Sequence, residues 1–290
     1  MVNTMIFDTH AHYDDPRFDE DRDALLTSMA SRGIGHIINV GAEMNGCRNT
    51  VSLVAAYPFL YGAVGVHPDG AHTFDEACLN ELRELSKRER IIAIGEIGLD
   101  YAYLSELDEE EAARIKEEQK RCFTMQLELA RERCLPVFIH SRDAAADTMA
   151  LMKEHTKKAK AEGSFRGGII HCYAYSPEMA EEYVSMGYVL GIGGVLTFKN
   201  AKKLPDVVER IPLTALVLET DSPYLAPVPH RGERNDSSFL PLVVSKIAQI
   251  KGIPEEEVIR VTTANAERLV AAGGSKICPV TEGGSTEHSV

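Results

Sequence analysis

Two histidines stand one residue apart near the start of the sequence, immediately after a short apolar run. The stretch reads Ile6-Phe7-Asp8-Thr9-His10-Ala11-His12. Side chains two residues apart on a β-strand point to the same face, so His10 and His12 can reach one point in space. Neutral imidazole is a common ligand for zinc-like ions. Because two nearby histidines are more often surface or core residues than ligands, the pair needs support from elsewhere in the chain.

That support comes from four later repetitions of an apolar run closed by a ligand-type residue. The closing residues are Glu96, His140, His171 and Asp221. The runs are short and rich in β-branched residues, which is typical of strands buried on both faces. Parallel strands joined by helices place their carboxyl ends on one rim, where a barrel carries its active site. The four histidines and two carboxylates are therefore expected to form a metal centre at the top of a barrel.

Strand-like and helix-like segments alternate along the chain without an internal linker. The predicted strands start near residues 6, 36, 61, 91, 137, 168, 188 and 216. The predicted helices cover residues 18–31, 51–57, 79–88, 109–133, 143–160, 177–186, 204–209, 240–251 and 255–272. This pattern predicts an α/β fold, a (β/α)8 TIM barrel, as a single domain over residues 1–272. The small polar residues from 273 to 290 predict a disordered tail.

Composition and charge exclude several classes of protein. The 290 residues are 44% hydrophobic and 26% charged, with a formal net charge of −13. Such a charge argues against a protein that coats nucleic acid, but not against an enzyme that acts on a phosphate. No apolar segment approaches the ~20 residues that span a bilayer, and the amino terminus lacks the features of a secretory signal. We expect a cytoplasmic protein with free cysteines, no membrane association and no stable protein partner.

Seven motifs follow one another along the chain, from the first strand to the loop beyond the eighth. They are Phe7-Asp8-Thr9-His10-Ala11-His12, Gly65-Val66-His67-Pro68, Gly95-Glu96-Ile97-Gly98-Leu99-Asp100-Tyr101, Leu135-Pro136-Val137-Phe138-Ile139-His140-Ser141-Arg142, His171-Cys172-Tyr173, Leu218-Glu219-Thr220-Asp221-Ser222-Pro223-Tyr224-Leu225 and Arg231-Gly232-Glu233-Arg234-Asn235. Together these motifs resemble those of the TatD family, metal-dependent deoxyribonucleases within the amidohydrolase-like barrels. The resemblance extends to about residue 270.

The resemblance implies a metal-ligand set and two catalytic residues. One or two divalent ions, Mg²⁺, Zn²⁺ or Mn²⁺, would be bound by His10, His12, Glu96, His140, His171 and Asp221. Glu96 can bridge two ions because a carboxylate offers two oxygens. Bound ions would lower the pKa of a water molecule and generate hydroxide. Asp221 can orient or deprotonate that water, so Glu96 and Asp221 are the predicted catalytic residues.

Four further residues are predicted to bind substrate. His67 is expected on the pocket rim, although an ordinary loop histidine fits the sequence equally well. Arg142 is expected either to bind phosphate or to form a structural ion pair. Arg231, with Arg234 nearby, can grip a phosphate through paired N–H donors. Asn235 is predicted either to contact the substrate or to hold this loop.

The chain departs from the family pattern at loop positions around the expected mouth of the barrel. Asp69 stands where the family has a second histidine after the His-Pro pair. Tyr173 replaces the commoner Phe, Ala174-Tyr175-Ser176 replaces a Ser-Gly pair, and Asp236-Ser237 replaces an acid-Pro pair. None of these positions is a predicted ligand. The departures therefore leave the predicted hydrolase chemistry unchanged, whereas the sequence predicts the preferred substrate less well.

Three functions are compatible with these residues. The leading one is a deoxyribonuclease that hydrolyses phosphodiester bonds from DNA ends, with single-stranded or 3′ ends of DNA as the transient substrate. The second is hydrolysis of an amide, lactone or aminoacyl ester, which the same barrel can perform. The absence of a bridging lysine near Glu96 disfavours it. The third is a protein that keeps the barrel fold but acts only by binding other proteins. Inability to bind any divalent metal would favour this third function.

Overall fold

The computed structural model describes residues 5–277, which contain eight parallel strands joined into one sheet. Neighbouring strands pair in chain order, from the first to the eighth. The strands are β1 (Ile6–Ala11), β2 (Ile34–Gly41), β3 (Leu60–Val64), β4 (Ile91–Asp100), β5 (Val137–Arg142), β6 (Gly168–Ile170), β7 (Val189–Ile192) and β8 (Leu216–Leu218). Each predicted strand is present, and β4 extends four residues past Glu96.

The first and last strands meet and close the sheet. Ala11 and Ser222 form a parallel bridge beyond β8. The His12 N–H donates to the Ser222 carbonyl at 2.8 Å, and the Asp221 N–H donates to the His10 carbonyl at 2.9 Å. Parallel neighbours require a crossover connection, which the intervening helices supply. The predicted (β/α)8 barrel is confirmed, and three of the predicted ligands, His10, His12 and Asp221, take part in its closure through their backbone.

Nine α-helices connect or cover the strands within residues 5–277. They are α1 (Arg22–Ser28), α2 (Met44–Ala56), α3 (Glu76–Leu85), α4 (Glu109–Arg133), α5 (Ala145–Glu162), α6 (Pro177–Met186), α7 (Leu204–Arg210), α8 (Leu240–Lys251) and α9 (Glu255–Ala272). Helix α4 has the predicted bounds. The Asp108 side chain accepts a hydrogen bond from the Glu111 N–H at its start, and Cys134 takes a left-handed φ of 52° at its end.

One predicted helix, over residues 18–31, is interrupted. Pro16–Phe18 and Ala30–Arg32 form 3₁₀ turns, and only Arg22–Ser28 is α-helical. Asp21 occupies the N-cap position of α1 rather than a helix interior. Aspartate competes with the helical backbone for hydrogen bonds, so it favours caps and turns. A helical pattern of apolar residues was therefore not enough to predict an unbroken helix.

Buried aromatic and branched side chains from several strands form a compact cluster that also includes the end of α9. Phe138 of β5 and Ile169 of β6 belong to it, together with Leu269 of α9. His140 lies two positions after Phe138 in β5, and His171 lies two positions after Ile169, just beyond β6. Because residues two apart share a strand face, both histidines lie on the same face as these core residues. The packed face that stabilises the barrel therefore continues into the predicted site.

Some expectations reach beyond the described part of the chain. Helix α9 ends at Ala272, the predicted end of the domain. Residues 278–290 lie outside the described residues, so the predicted disorder of the tail stays a prediction. The five described cysteines are free, and Cys278 lies outside this range. Among the helices of residues 5–277, none is both long and apolar enough to cross a membrane.

Candidate metal centre

The carboxyl rim of the barrel brings all six predicted ligands into one cluster. They come from β1 and the position after it (His10, His12), from β4 (Glu96) and β5 (His140), and from just beyond β6 (His171) and β8 (Asp221). Four of the six are buried, whereas His140 and Asp221 are partly exposed. Residues separated by up to 211 positions (221 − 10) in the sequence thus meet because parallel strands end on the same rim.

One group of donor atoms surrounds a single point. His10 Nε2 and His12 Nε2 are 3.2 Å apart. Glu96 Oε2 lies 3.5 Å from His10 Nε2 and 3.7 Å from His12 Nε2. Asp221 Oδ1 lies 3.4 Å from His12 Nε2 and 4.0 Å from His10 Nε2. Ligands about 2.1 Å from a tetrahedral ion are about 3.4 Å from one another. His10, His12 and Glu96 can therefore hold one divalent ion, and Asp221 lies close to both histidines of this group.

The second oxygen of Glu96 faces another group of histidines. Glu96 Oε1 lies 2.9 Å from His140 Nδ1 and 3.7 Å from His171 Nε2. His67 Nε2 lies 4.0 Å from the same oxygen, and His67, Glu96 and His140 form a second set that can hold an ion. A carboxylate that turns one oxygen to each group has the arrangement of a bridging ligand. The donor set fits two ions that share Glu96.

Two of the histidines are oriented by contacts on their other ring nitrogen. His12 Nδ1 lies 2.7 Å from the Val40 carbonyl oxygen, and His171 Nδ1 lies 3.1 Å from Glu219 Oε2. Gly191 makes room for this carboxylate, because a Cβ at position 191 would overlap the Glu219 oxygens. Such contacts fix the ring and direct the free nitrogen toward a metal.

Asp100 orients His140 and was not singled out from the sequence. Asp100 Oδ2 lies 3.2 Å from His140 Nε2, on the side of the ring away from Glu96. A signal for it existed, because β4 continues past Glu96 and every second residue of a strand shares one face. Gly98 and Asp100 are the next two residues on the strand face that carries Glu96. The prediction ended the strand at the first carboxylate and so missed the second.

Asp8 holds the backbone that carries Asp221. Its buried carboxylate accepts hydrogen bonds from Thr220 Oγ1 at 2.7 Å, from the Thr220 N–H at 3.1 Å and from Ser237 Oγ at 2.6 Å. Asp221 has a φ of 59°, in the left-handed region that costs a non-glycine residue roughly 1–2 kcal/mol. The Asp8 contacts and the hydrogen bond from the Asp221 N–H to His10 stabilise this backbone and aim the carboxylate at the cluster.

Burial and charge together set the protonation of the cluster. Burial lowers the pKa of His12, but its contacts with Asp221 and Glu96 outweigh that effect and raise the pKa to about 9. The same balance between burial and nearby carboxylates raises the pKa of His140 to about 10 and the pKa of His171 to about 9. Burial raises the pKa of Glu96 and Asp221, yet the histidines hold both values below their usual range. Without metal, the histidines of the cluster therefore bind protons, which a bound cation would displace.

The two arginines predicted to bind substrate lie on the rim but outside the ligand cluster. Arg142 Cζ lies 5.4 Å from the centre of the Tyr103 ring, and Arg231 Cζ lies 3.7 Å from the centre of the Phe198 ring. Within residues 5–277, no carboxylate lies within 4.0 Å of either guanidinium. The structural ion pair considered for Arg142 is therefore not formed with a described residue. Phosphate binding by both arginines stays a prediction.

Asn235 lies in the loop beyond β8 rather than on the pocket surface. Its side chain is buried, and Nδ2 donates to the carbonyls of Thr220 at 2.9 Å and Tyr224 at 2.7 Å. This placement does not support the predicted substrate contact, because the amide has no surface to offer a ligand. It matches the alternative that Asn235 holds the loop. Arg234 is also engaged, since its two terminal nitrogens donate to the Asp21 carboxylate at 2.8 and 2.6 Å.

A parallel barrel with a histidine–carboxylate cluster at its carboxyl rim has the architecture of a metal-dependent hydrolase. Comparison with known proteins agrees. The chain matches the family model described as TatD related DNase over residues 7–271. It is 39% identical to the uncharacterized metal-dependent hydrolase YabD of Bacillus subtilis (strain 168), with 91% of this chain and 98% of that protein covered.

Two further relatives are similar over nearly their whole length. The chain is 31% identical to the 3'-5' ssDNA/RNA exonuclease TatD of Cronobacter sakazakii, covering 93% of this chain and 99% of the relative. The crystal structure of YjjV, a TatD homolog from Escherichia coli K12, superposes with a TM-score of 0.82 at 30% identity, covering 93% of this chain and 98% of that one. This chain belongs to the TatD family, as the sequence motifs predicted, and is a metal-dependent hydrolase of that family.

Proposed function

We propose that this hydrolase removes nucleotides from the ends of single-stranded DNA by cleaving phosphodiester bonds. The observation that carries the proposal is that the two oxygens of Glu96 face two separate groups of histidine nitrogens. Two ions roughly 3.5–4 Å apart are the arrangement with which many phosphodiesterases stabilise both oxygens of an in-line displacement. The family description and the name of the Cronobacter sakazakii relative support the same chemistry.

The donor set indicates which residues would hold the ions and which metals suit them. When bound, divalent ions would activate water as Lewis acids and neutralise charge on the phosphate oxygens. The nitrogen-rich set suits Zn²⁺ better than Mg²⁺ or Mn²⁺, which prefer oxygen ligands. One ion would be held by His10, His12 and Asp221 and the other by His140 together with His171 or His67, with Glu96 shared.

Asp221 is the residue best suited to accept the proton of the attacking water. Its Oδ1 lies 3.4 Å from His12 Nε2 and 3.6 Å from His171 Nε2, between the two histidine groups. Burial raises the pKa of Asp221, but the neighbouring histidines hold it below its usual value. The carboxylate is therefore ionised at neutral pH and can act as a general base.

The burial of the cluster favours an unpaired strand over a duplex. Four of the six ligands are buried, so a scissile phosphate has to come close to largely covered side chains, and a flexible single strand can do so more readily than a base-paired stack. The net charge of −13 means that general attraction to phosphates does not hold DNA on this surface. DNA is therefore expected as a transient substrate that is bound at the site itself.

The direct test is nuclease activity on single-stranded DNA labelled at its 3′ or 5′ end. Wild-type protein and Asp221→Asn would be assayed with Mg²⁺, Mn²⁺, Zn²⁺ or EDTA. We expect stepwise shortening that requires a metal and is lost in Asp221→Asn. Asp206→Asn on α7, an exposed aspartate away from the cluster, is the matched control and should retain wild-type activity. Comparing the two labels also shows the direction of cleavage.

Two results would overturn the proposal. Cleavage of closed circular DNA would show that strand ends are not required. If folded, metal-loaded protein leaves every DNA substrate unchanged, nuclease activity is excluded. If the protein then cleaves carboxyl esters but not p-nitrophenyl phosphodiesters, its substrates belong to the amide, lactone or aminoacyl ester class.

A further inference from the structure

Two tyrosines keep large aromatic surfaces exposed on the rim that carries the ligand cluster. Tyr103 is 61% exposed and follows β4, and Tyr224 is 48% exposed and follows β8. The only other large hydrophobic residues with comparable exposure in residues 5–277 are Leu107 and Val228. Exposed aromatic rings lose hydrophobic stabilisation, so two of them beside a binding site indicate a ligand with a flat apolar face.

An arginine lies over each tyrosine ring. Arg17 Cζ is 4.1 Å from the centre of the Tyr224 ring, and Arg142 Cζ is 5.4 Å from the centre of the Tyr103 ring. Arg17 is held in place, since its side chain donates to Asp15 Oδ1 at 2.9 Å and to Oδ2 at 2.7 Å. Each pair offers a ring to a base, and Arg142, which is not paired with a described carboxylate, also offers its guanidinium to a phosphate; aromatic rings and arginines are combined in this way in single-stranded nucleic acid sites.

The two pairs lie on opposite sides of the ligand cluster. Tyr224 and Arg17 belong to the loops after β8 and β1, whereas Tyr103 belongs to the loop after β4 and Arg142 ends β5. In an eight-stranded barrel paired in chain order, these junctions are half a turn apart. The Tyr224 ring lies 6.4 Å from the His12 ring, and Arg142 is the strand partner of Asp100, which contacts the ligand His140. The cluster therefore lies between the two tyrosines.

We propose that Tyr224 and Tyr103 are stacking platforms for two unpaired nucleobases, one on each side of the phosphate that is cleaved. This inference rests on the proposed nuclease function and specifies its substrate as a single strand whose bases are turned outward. Stacking is open only to unpaired bases, so a duplex cannot occupy both platforms. Because every base has an apolar face, we expect little sequence preference.

The test compares a short single-stranded oligodeoxynucleotide with one of equal length that has abasic sites on both sides of the scissile phosphate. For wild-type protein, we expect KM to be at least about 30-fold higher for the abasic strand, which corresponds to two lost stacks of ~1–3 kcal/mol each. In Tyr224→Ala and Tyr103→Ala, the ratio of the two KM values should fall toward one. Tyr224→Phe and Tyr103→Phe should keep the ratio, because they keep the ring, and so should Val228→Ala, an exposed control.

The outcomes separate this proposal from the function on which it rests. If wild-type protein cleaves neither strand, both the nuclease and the stacking platforms are excluded. If it cleaves both with equal KM, or if the alanine variants raise both KM values equally, the nuclease stands and base stacking by these tyrosines is excluded. The platforms are supported only if the ratio of the two KM values falls toward one in the alanine variants and stays at the wild-type value in the phenylalanine variants.

Discussion

Glu219 Oε2 lies 3.1 Å from His171 Nδ1, and Glu219 Oε1 accepts a hydrogen bond from the Cys172 N–H at 2.6 Å. One buried carboxylate therefore orients both the His171 ring and the backbone beside it. Losing such a partner typically weakens metal binding about 10- to 100-fold. We expect Glu219→Gln to weaken Zn²⁺ or Mn²⁺ binding by that factor, as measured by competition with a chromophoric chelator.

The control for this prediction is Glu209→Gln, which removes an exposed carboxylate of α7. Its metal affinity should equal that of the wild type. Circular dichroism should show that both variants keep the wild-type fold. Wild-type affinity in folded Glu219→Gln would mean that His171 is oriented without this carboxylate or does not bind the metal.

Metal binding should release protons. In the metal-free protein the pKa values of His12, His140 and His171 are raised to about 9, 10 and 9, so these rings are protonated near neutral pH. A histidine must lose its proton before that nitrogen can bind a cation. Metal affinity should therefore rise as the pH increases from about 7 toward 9. Calorimetry in buffers of different ionisation enthalpy counts the released protons, and identical apparent enthalpies in all buffers would contradict the prediction.

His155 should make the folded state less stable in mild acid. Burial in α5, together with the nearby Arg131 charge, lowers the pKa of His155 to about 4. The unfolded chain binds this proton at its ordinary pKa of about 6.5, so stability is lost as the pH falls through 6.5 toward 4. Between about pH 7.5 and pH 5 the loss should be roughly 2 kcal/mol. Urea unfolding of metal-free wild type and His155→Gln at both pH values should show a smaller pH effect in the variant.

His230→Gln is the matched control for this prediction, since it removes a partly exposed histidine. The free energy of unfolding of this variant should fall between about pH 7.5 and pH 5 by as much as that of the wild type. A pH effect in His155→Gln as large as in the wild type would show that His155 does not cause the loss.

Arg142 should contribute one phosphate contact. Its guanidinium has no carboxylate within 4.0 Å among residues 5–277, so its charge is available to a ligand. Removing one phosphate contact reduces the slope of log affinity against log salt by about 0.7 for a single strand. We expect Arg142→Gln to weaken binding of single-stranded DNA with this change in slope, measured by fluorescence anisotropy with catalysis blocked by EDTA. Arg166→Gln, before β6 on the opposite rim, should leave the slope unchanged.

The sequence by itself determined the barrel and the types of residue at its rim. Short β-branched runs, each closed by a ligand-type residue, are local patterns, and the period of a strand or helix can be read from neighbouring positions. Helix α4 illustrates this, because its bounds follow from local features, the cap at Asp108 and the turn at Cys134. The rule that parallel strands end on one rim then predicted that His10, His140 and the other ligands would meet.

Only the tertiary structure decided which atoms face each other. Asp100 contacts His140 across 40 positions, Glu219 reaches the Cys172 backbone across 47, and Asp8 binds Ser237 across 229. The same holds for the loop beyond β8, where burial turned Asn235 from a predicted substrate contact into a support for the backbone. These contacts depend on strand register, side-chain rotamers and barrel closure. No local pattern encodes those quantities, because they arise from packing the whole chain at once.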